Sequence, residues 1–184
     1  MTRATGIITG LLLAALGACS PALDWRDVRP GGDSLVLLFP CRPEAHERTV
    51  RIAGADRRMR MLGCDAAGMT FSLASLDAEA ADRVQPLLEA LKLALAGNLG
   101  AAAGPPLPFA PAGATPSAGS SRMSVAGRRP DGEALRAETA CFVHGLHVYQ
   151  ATVLGKAPSA EAVSTFMESA RFAPPGARER SATR

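Results

Sequence analysis

The chain writes one pattern twice. Residues 122–127, Arg-Met-Ser-Val-Ala-Gly, mirror residues 49–54, Thr-Val-Arg-Ile-Ala-Gly. The stretch from Cys141 to Gly145 mirrors the one from Cys64 to Gly68, and residues 146–154 mirror the run that starts at Met69. Self-similarity of this kind marks a repeated supersecondary unit, and such units cover their apolar faces by packing on one another.

Within each unit the apolar period is that of a strand. Val50 and Ile52 share a face in 49–53, Met59 and Met61 point inward against Arg58 and Arg60 in 57–62, and Met69, Phe71 and Leu73 align in 69–76. Short turns at 54–56 and 66–68 suit hairpins. The second unit offers strands at 122–127, 134–143 and 146–154. Ahead of both lies an apolar run, 34–39, ended by Pro40, which reads as a buried strand.

Each unit closes on a helix. In the first, Val84, Leu87, Leu88, Leu91 and Leu95 recur at helical spacing, with Pro86 in the first turn and Gly97 as the stop. In the second, Ser159 is the N-cap with Glu161 behind it. Val163, Phe166, Met167 and Ala170 form the apolar face, and Pro174-Pro175-Gly176 ends it. Between them, 99–121 is Ala, Gly, Pro and Ser with almost no charge, which reads as a mobile linker.

The expected fold is therefore α+β: an antiparallel sheet of about six to seven strands with two main helices, built as two β-β-β-α units. This order, with its opening Phe39-Pro40 strand end, resembles the Mog1/PsbP-like fold. One domain is expected over 34–173, with a tether over 19–33 and a disordered tail over 174–184. Residues 38–43 and 145–151 also resemble an uncharacterised group of proteobacterial lipoproteins, and that likeness brings no activity with it.

The N-terminal stretch fixes an address. Arg3 supplies a minimal positive region and 6–16 an uncharged apolar run, the layout of a secretory signal over 1–18 and too short to span a bilayer. Leu16-Gly17-Ala18-Cys19 then resembles a bacterial lipobox. The resemblance implies cleavage before Cys19, acylation of that cysteine and a membrane anchor of two or three acyl chains. Ser20, in place of Asp, favours the outer membrane, with the domain facing the periplasm.

Export to an oxidising compartment leaves Cys41, Cys64 and Cys141 to share one bridge and one leftover thiol. The expected bridge is Cys41–Cys64, on the view that the first strand docks beside the third. Cys64–Cys141 is the rival, since these two occupy matching places in the units. Cys141, between Ala140 and Phe142, then reads as a buried, inert thiol.

Few other residues suggest chemistry. His144 and His147 straddle the hairpin at Gly145 and with His46 could make a three-histidine metal site. A turn separates the two, however, and no carboxylate falls at ligand spacing, so they read as exposed hairpin histidines. No nucleophile elbow or phosphate-cradling loop appears. A net charge of +3 without a basic tail argues against nucleic acid, and 4% aromatic residues against a carbohydrate platform. Trp25 reads as packing beside the first strand. Arg57, Arg58, Arg60, Arg128 and Arg129 fall near equivalent turns of the units and are candidates for one basic patch.

The expectation for function is a non-catalytic, membrane-anchored lipoprotein, without cofactor or metal, that binds an envelope protein. The alternative is a binder of a small apolar or lipidic ligand, held between sheet and helix under 99–121, with Met59, Met61, Met69 and Met167 as lining.

Overall fold

The computed structural model describes residues 22–30, 34–129 and 131–173. The signal-like segment 1–18, Cys19 and the tail 174–184 lie outside the described residues. The first half of the fold comprises β1 (Arg26–Val28), β2 (Leu35–Phe39), β3 (Glu44–Ile52), β4 (Ala55–Ala66), β5 (Met69–Asp77) and α1 (Val84–Asn98). The second comprises β6 (Leu107–Pro108), β7 (Ser121–Arg128), β8 (Ala134–His144), β9 (His147–Gly155), α2 (Ala160–Glu168) and β10 (Arg171–Phe172).

The class is α+β. A seven-stranded antiparallel sheet runs β3-β4-β5-β9-β8-β7-β6, and a three-stranded sheet runs β1-β2-β10. Within the large sheet the two halves of the chain meet along one seam, β5 against β9, from Met69 opposite Gly155 to Asp77 opposite His147. Successive strand residues face opposite sides, so β5 sends Met69, Phe71 and Leu73 into one layer and Ala74 and Leu76 into the other.

Each face of the large sheet has its own cover. On one, Leu87, Leu88 and Leu91 of α1 pack with Ile52, Met59, Leu76 and Val148. On the other, Phe166 and Met167 of α2 join Leu35, Leu37 and Phe39 of β2 over Phe71 and Phe142. Phe166 meets Phe39 and Phe71 edge-on, at ring centroid distances of 5.1 and 5.3 Å, the geometry that the ring quadrupoles favour.

Local rules account for the joints. At Ala53-Gly54 and Ala67-Gly68 both residues take positive φ (49° and 77°, 50° and 71°), the two-residue turn whose twist matches antiparallel strands. Pro86 falls in the first turn of α1, where its missing N–H is no loss. That helix runs on past Gly97 to Asn98, and Gly100, at φ 59°, takes the left-handed position instead. Ser159 caps α2, its Oγ accepting from the Ala162 N–H.

Three expectations change. The strand before Cys41 does not lie beside the third strand. β2 belongs to the small sheet, across the α2-side core from the large one. Much of the expected tether is part of the domain, since Arg26–Val28 pairs with β2 and Trp25 packs on Phe71. Residues 99–121 lie against the sheet. Leu99 is buried under α1, Ala103 bridges Val125, β6 pairs with β7, Phe109 packs on Phe142, and the Thr115 N–H donates to the Val143 carbonyl. Their few apolar side chains cannot make a core alone, but they complete an edge that the sheet supplies.

Candidate functional site

The α1 cover is narrower than the sheet beneath it. Beside the helix a groove of about 380 Å³ stays open, with Val50, Met59 and Met61 on one side, Leu91 and Leu95 on the other and Ser72 on the floor. The reason is visible in β5: the side facing away from α1 carries Met69, Phe71 and Leu73, while the side under the groove carries only Thr70, Ser72 and Ala74. Small side chains there leave α1 nothing to close upon. Arg48 and Arg51 stand at the rim; Arg51 is paired with Asp56 at 3.5 Å, whereas Arg48 makes no ion pair or side-chain hydrogen bond among the described residues.

A second hollow, of about 680 Å³, lies beside α2 over β7 and β8. Three of the five charged side chains that line it are paired. Glu138 takes the Arg136 Nε–H at 2.6 Å and the Ser124 hydroxyl at 2.5 Å, and Lys156 pairs with Glu133 at 2.6 Å. The other two, Arg122 and Glu168, make no ion pair among the described residues.

The four methionines expected to line one pocket are divided by the sheet. Met59 and Met61 border the groove, while Met69 and Met167 lie in the α2-side core.

The five arginines do not form one patch. Strand register puts Arg57 and Arg58 level with the Asp77–His147 end of the sheet, and Arg128 at the opposite end beside Ala134, with three strands between. Arg57 is not a surface residue, being 5% exposed. Its Nη1 donates to the carbonyls of Asp77 at 3.0 Å and Ala78 at 3.4 Å and pairs with the Glu79 carboxylate at 3.2 Å. It fastens the loop between β5 and α1. Parity carried the signal, because Arg57 shares a strand face with the inward Met59 and Met61. Arg58 pairs loosely with Glu47 at 3.7 Å, Arg60 is half-buried, Arg128 donates to the Gly132 carbonyl, and Arg129 pairs with Glu133 at 3.5 Å.

Cys41 and Cys64 are joined by a disulfide, and Cys141 is free and buried. The bridge has a different architectural meaning from the expected one: it ties the loop after β2, in the small sheet, to β4 in the large one. Burial pushes the Cys141 thiol up to about 12 from 9.0, against a smaller lowering by Lys92. The thiolate that nucleophilic chemistry requires is therefore suppressed.

His144 is engaged in structure. Its ring stacks on Phe172 at 4.1 Å, Nδ1 meets the Gly113 carbonyl at 3.0 Å, and Nε2 lies 3.4 Å from the Ser34 hydroxyl. A Ser–His pair invites comparison with an activated nucleophile. Here the group orienting the imidazole is a backbone carbonyl, without the negative charge that stabilises imidazolium in a triad. The contacts sew together Ser34, β10 and the segment before β7. His147 is the cross-strand partner of His144, whereas His46 lies on β3 beside Glu44, and among the described residues no three His, Cys, Asp or Glu converge as metal ligands.

No helix among the described residues is long and apolar enough to cross a membrane. Neither a protein-family model nor a curated protein matches the chain.

Proposed function

We propose that the chain is a lipoprotein of the bacterial cell envelope, acylated at Cys19 and held on the periplasmic face of the outer membrane. Its folded domain serves as a non-catalytic module for an envelope protein partner. The lipobox-like Leu16-Gly17-Ala18-Cys19 and the adjoining Ser20 support the anchor and the membrane. The element order supports two β-β-β-α units of the Mog1/PsbP-like kind, with β6 added between them.

The observation that carries the binding role is the groove beside α1. A trough open to solvent, with apolar walls and a polar rim, suits an element of a partner better than a small enclosed ligand. Met59 and Met61 can adjust to whatever lies on them. The alternative of a small apolar or lipidic ligand draws on the same groove, whose volume of about 380 Å³ is at the lower end of ligand sites.

A photo-crosslinking residue at position 61, in the intact anchored protein in cells, tests both. The first reading expects a discrete adduct of protein mass that is absent with the probe at position 58, on the other sheet face. An adduct of lipid mass alone supports the second and defeats the first. Mass spectrometry of the extracted protein should show acyl chains on an N-terminal Cys19, and an unmodified N-terminus refutes the anchor.

A further inference from the structure

The link between the anchor and the domain is much shorter than a tether over 19–33. The Asp24 N–H donates to the Pro40 carbonyl at 2.8 Å, and Leu23 and Trp25 already pack on the α2-side core. Only Ser20, Pro21 and Ala22 separate Cys19 from that first core contact. Consecutive Cα atoms are ~3.8 Å apart, so Cys19 lies within about 15 Å of Leu23 whatever path the link takes. The sheet is taller than that, since β5 with its nine residues extends for roughly 30 Å.

The chain also enters at a definite end. Pro40 adjoins Cys41, whose disulfide partner Cys64 pairs with Phe71 near the start of β5. The same end holds the Ala67-Gly68 turn, the loop after Gly155 and the turn after Arg128. The opposite end holds Ala78, bonded to the Leu146 carbonyl, and the short 3-10 turn Ala81–Arg83.

We infer that the end carrying the Ala67-Gly68 turn, the disulfide and the loop after Gly155 rests on the phospholipid headgroups of the membrane that holds Cys19. This rests on the acylation proposed above. The link imposes the contact. Arg42, Arg128, Arg129 and Lys156 at this end are matched by Glu44, Asp65, Asp131 and Glu133, so there is no surplus charge to attract anionic lipid. The opposite end points away from the bilayer, and a partner is met at a height set by the domain itself.

The test uses the acylated full chain in phosphatidylethanolamine–phosphatidylglycerol vesicles doped with a phospholipid carrying a headgroup nitroxide. A fluorophore is placed at Ala157→Cys, in the loop after Gly155, or at Ala81→Cys at the far end, each variant first matched to the parent in melting. Labelling is selective, since Cys41 and Cys64 are bridged, Cys141 is buried and Cys19 is acylated. The position 157 label should lose most of its emission and the position 81 label almost none. Equal quenching at both, or none at 157 in protein that floats with the vesicles, overturns the pose while leaving the anchor standing. Failure to float overturns both. A long Gly/Ser insertion after Ser20 should release the quenching at 157 without releasing the protein; quenching that persists there means the surface binds lipid by itself, and overturns the short-link account.

Discussion

The Trp25 indole meets the Phe71 ring edge-on, with centroids 5.9 Å apart and planes at 86°. Through this contact the first described residues are held on β5. Trp25→Ala should lower unfolding free energy by about 2 kcal/mol, through lost burial and the lost ring pair. Urea titration followed by circular dichroism measures it, since the variant has no tryptophan left to report. An unchanged midpoint would mean that the contact holds nothing.

Arg57 and Arg58 are neighbours with opposite expectations. Arg57→Ala leaves the carbonyls of Asp77 and Ala78 without their donor, at about 2 kcal/mol, and frees the loop before α1. Trypsin should then cut faster at Arg83 in the native protein. Arg58→Ala, losing only an exposed pair with Glu47, should shift stability by less than about 0.5 kcal/mol.

Non-reducing peptide mapping should recover Cys41 linked to Cys64. Their sequence separation of 23 implies about 3 kcal/mol from the constrained unfolded chain. Reduction should lower the melting temperature by roughly 6–12 °C.

Cys141 should resist thiol reagents until the protein unfolds, and it should make the fold sensitive to alkali. Its thiol is pushed up to about 12 in the native protein, against 9.0 unfolded. The native state therefore keeps a proton that the unfolded chain releases. Stability is unaffected below pH 9.0 and falls as pH rises from there toward about 12. Cys141→Ala should flatten that part of the pH profile relative to the parent, and an identical slope would refute the assignment.

Gly127 and Phe109 test whether 99–121 belongs to the fold. A Cβ on Gly127 would lie 2.2 Å from the Leu99 carbonyl oxygen, so Gly127→Ala must displace the end of α1 or β7, costing about 1–3 kcal/mol. Phe109→Ala removes a ring 6.0 Å from Phe142 and should cost about 2 kcal/mol. Thermal melts of both variants decide; parent-like transitions would restore the mobile linker.

The long strands and both helices were legible because each sustains a period over enough residues to be recognised. Cysteine count and the expected compartment pointed only to one bridge and one leftover thiol. The choice of Cys41–Cys64 rested on docking the first strand beside the third, and the pair is joined although that docking does not occur. The flanking Ala140 and Phe142 pointed to a buried Cys141. The features that escaped are short or non-local. β1, β6 and β10 have two or three residues each, too few to show alternation, and they exist because longer strands offer them an edge. The groove escaped because it depends on where α1 lies across β5, which periodicity within either element does not encode. Arg57 was legible by parity but was grouped by charge with Arg58 and Arg60.

The seam between β5 and β9 also dictates an order of events. Residues 69–77 must wait for 147–155, and β2 waits for Arg171 and Phe172. The strand at the middle of the large sheet is thus among the last to leave the ribosome. Until it arrives, β5 and β8 each present an unpaired apolar edge, and contacts this distant in sequence form slowly. A chain cut short before His147 lacks the one strand on which both β5 and β8 pair.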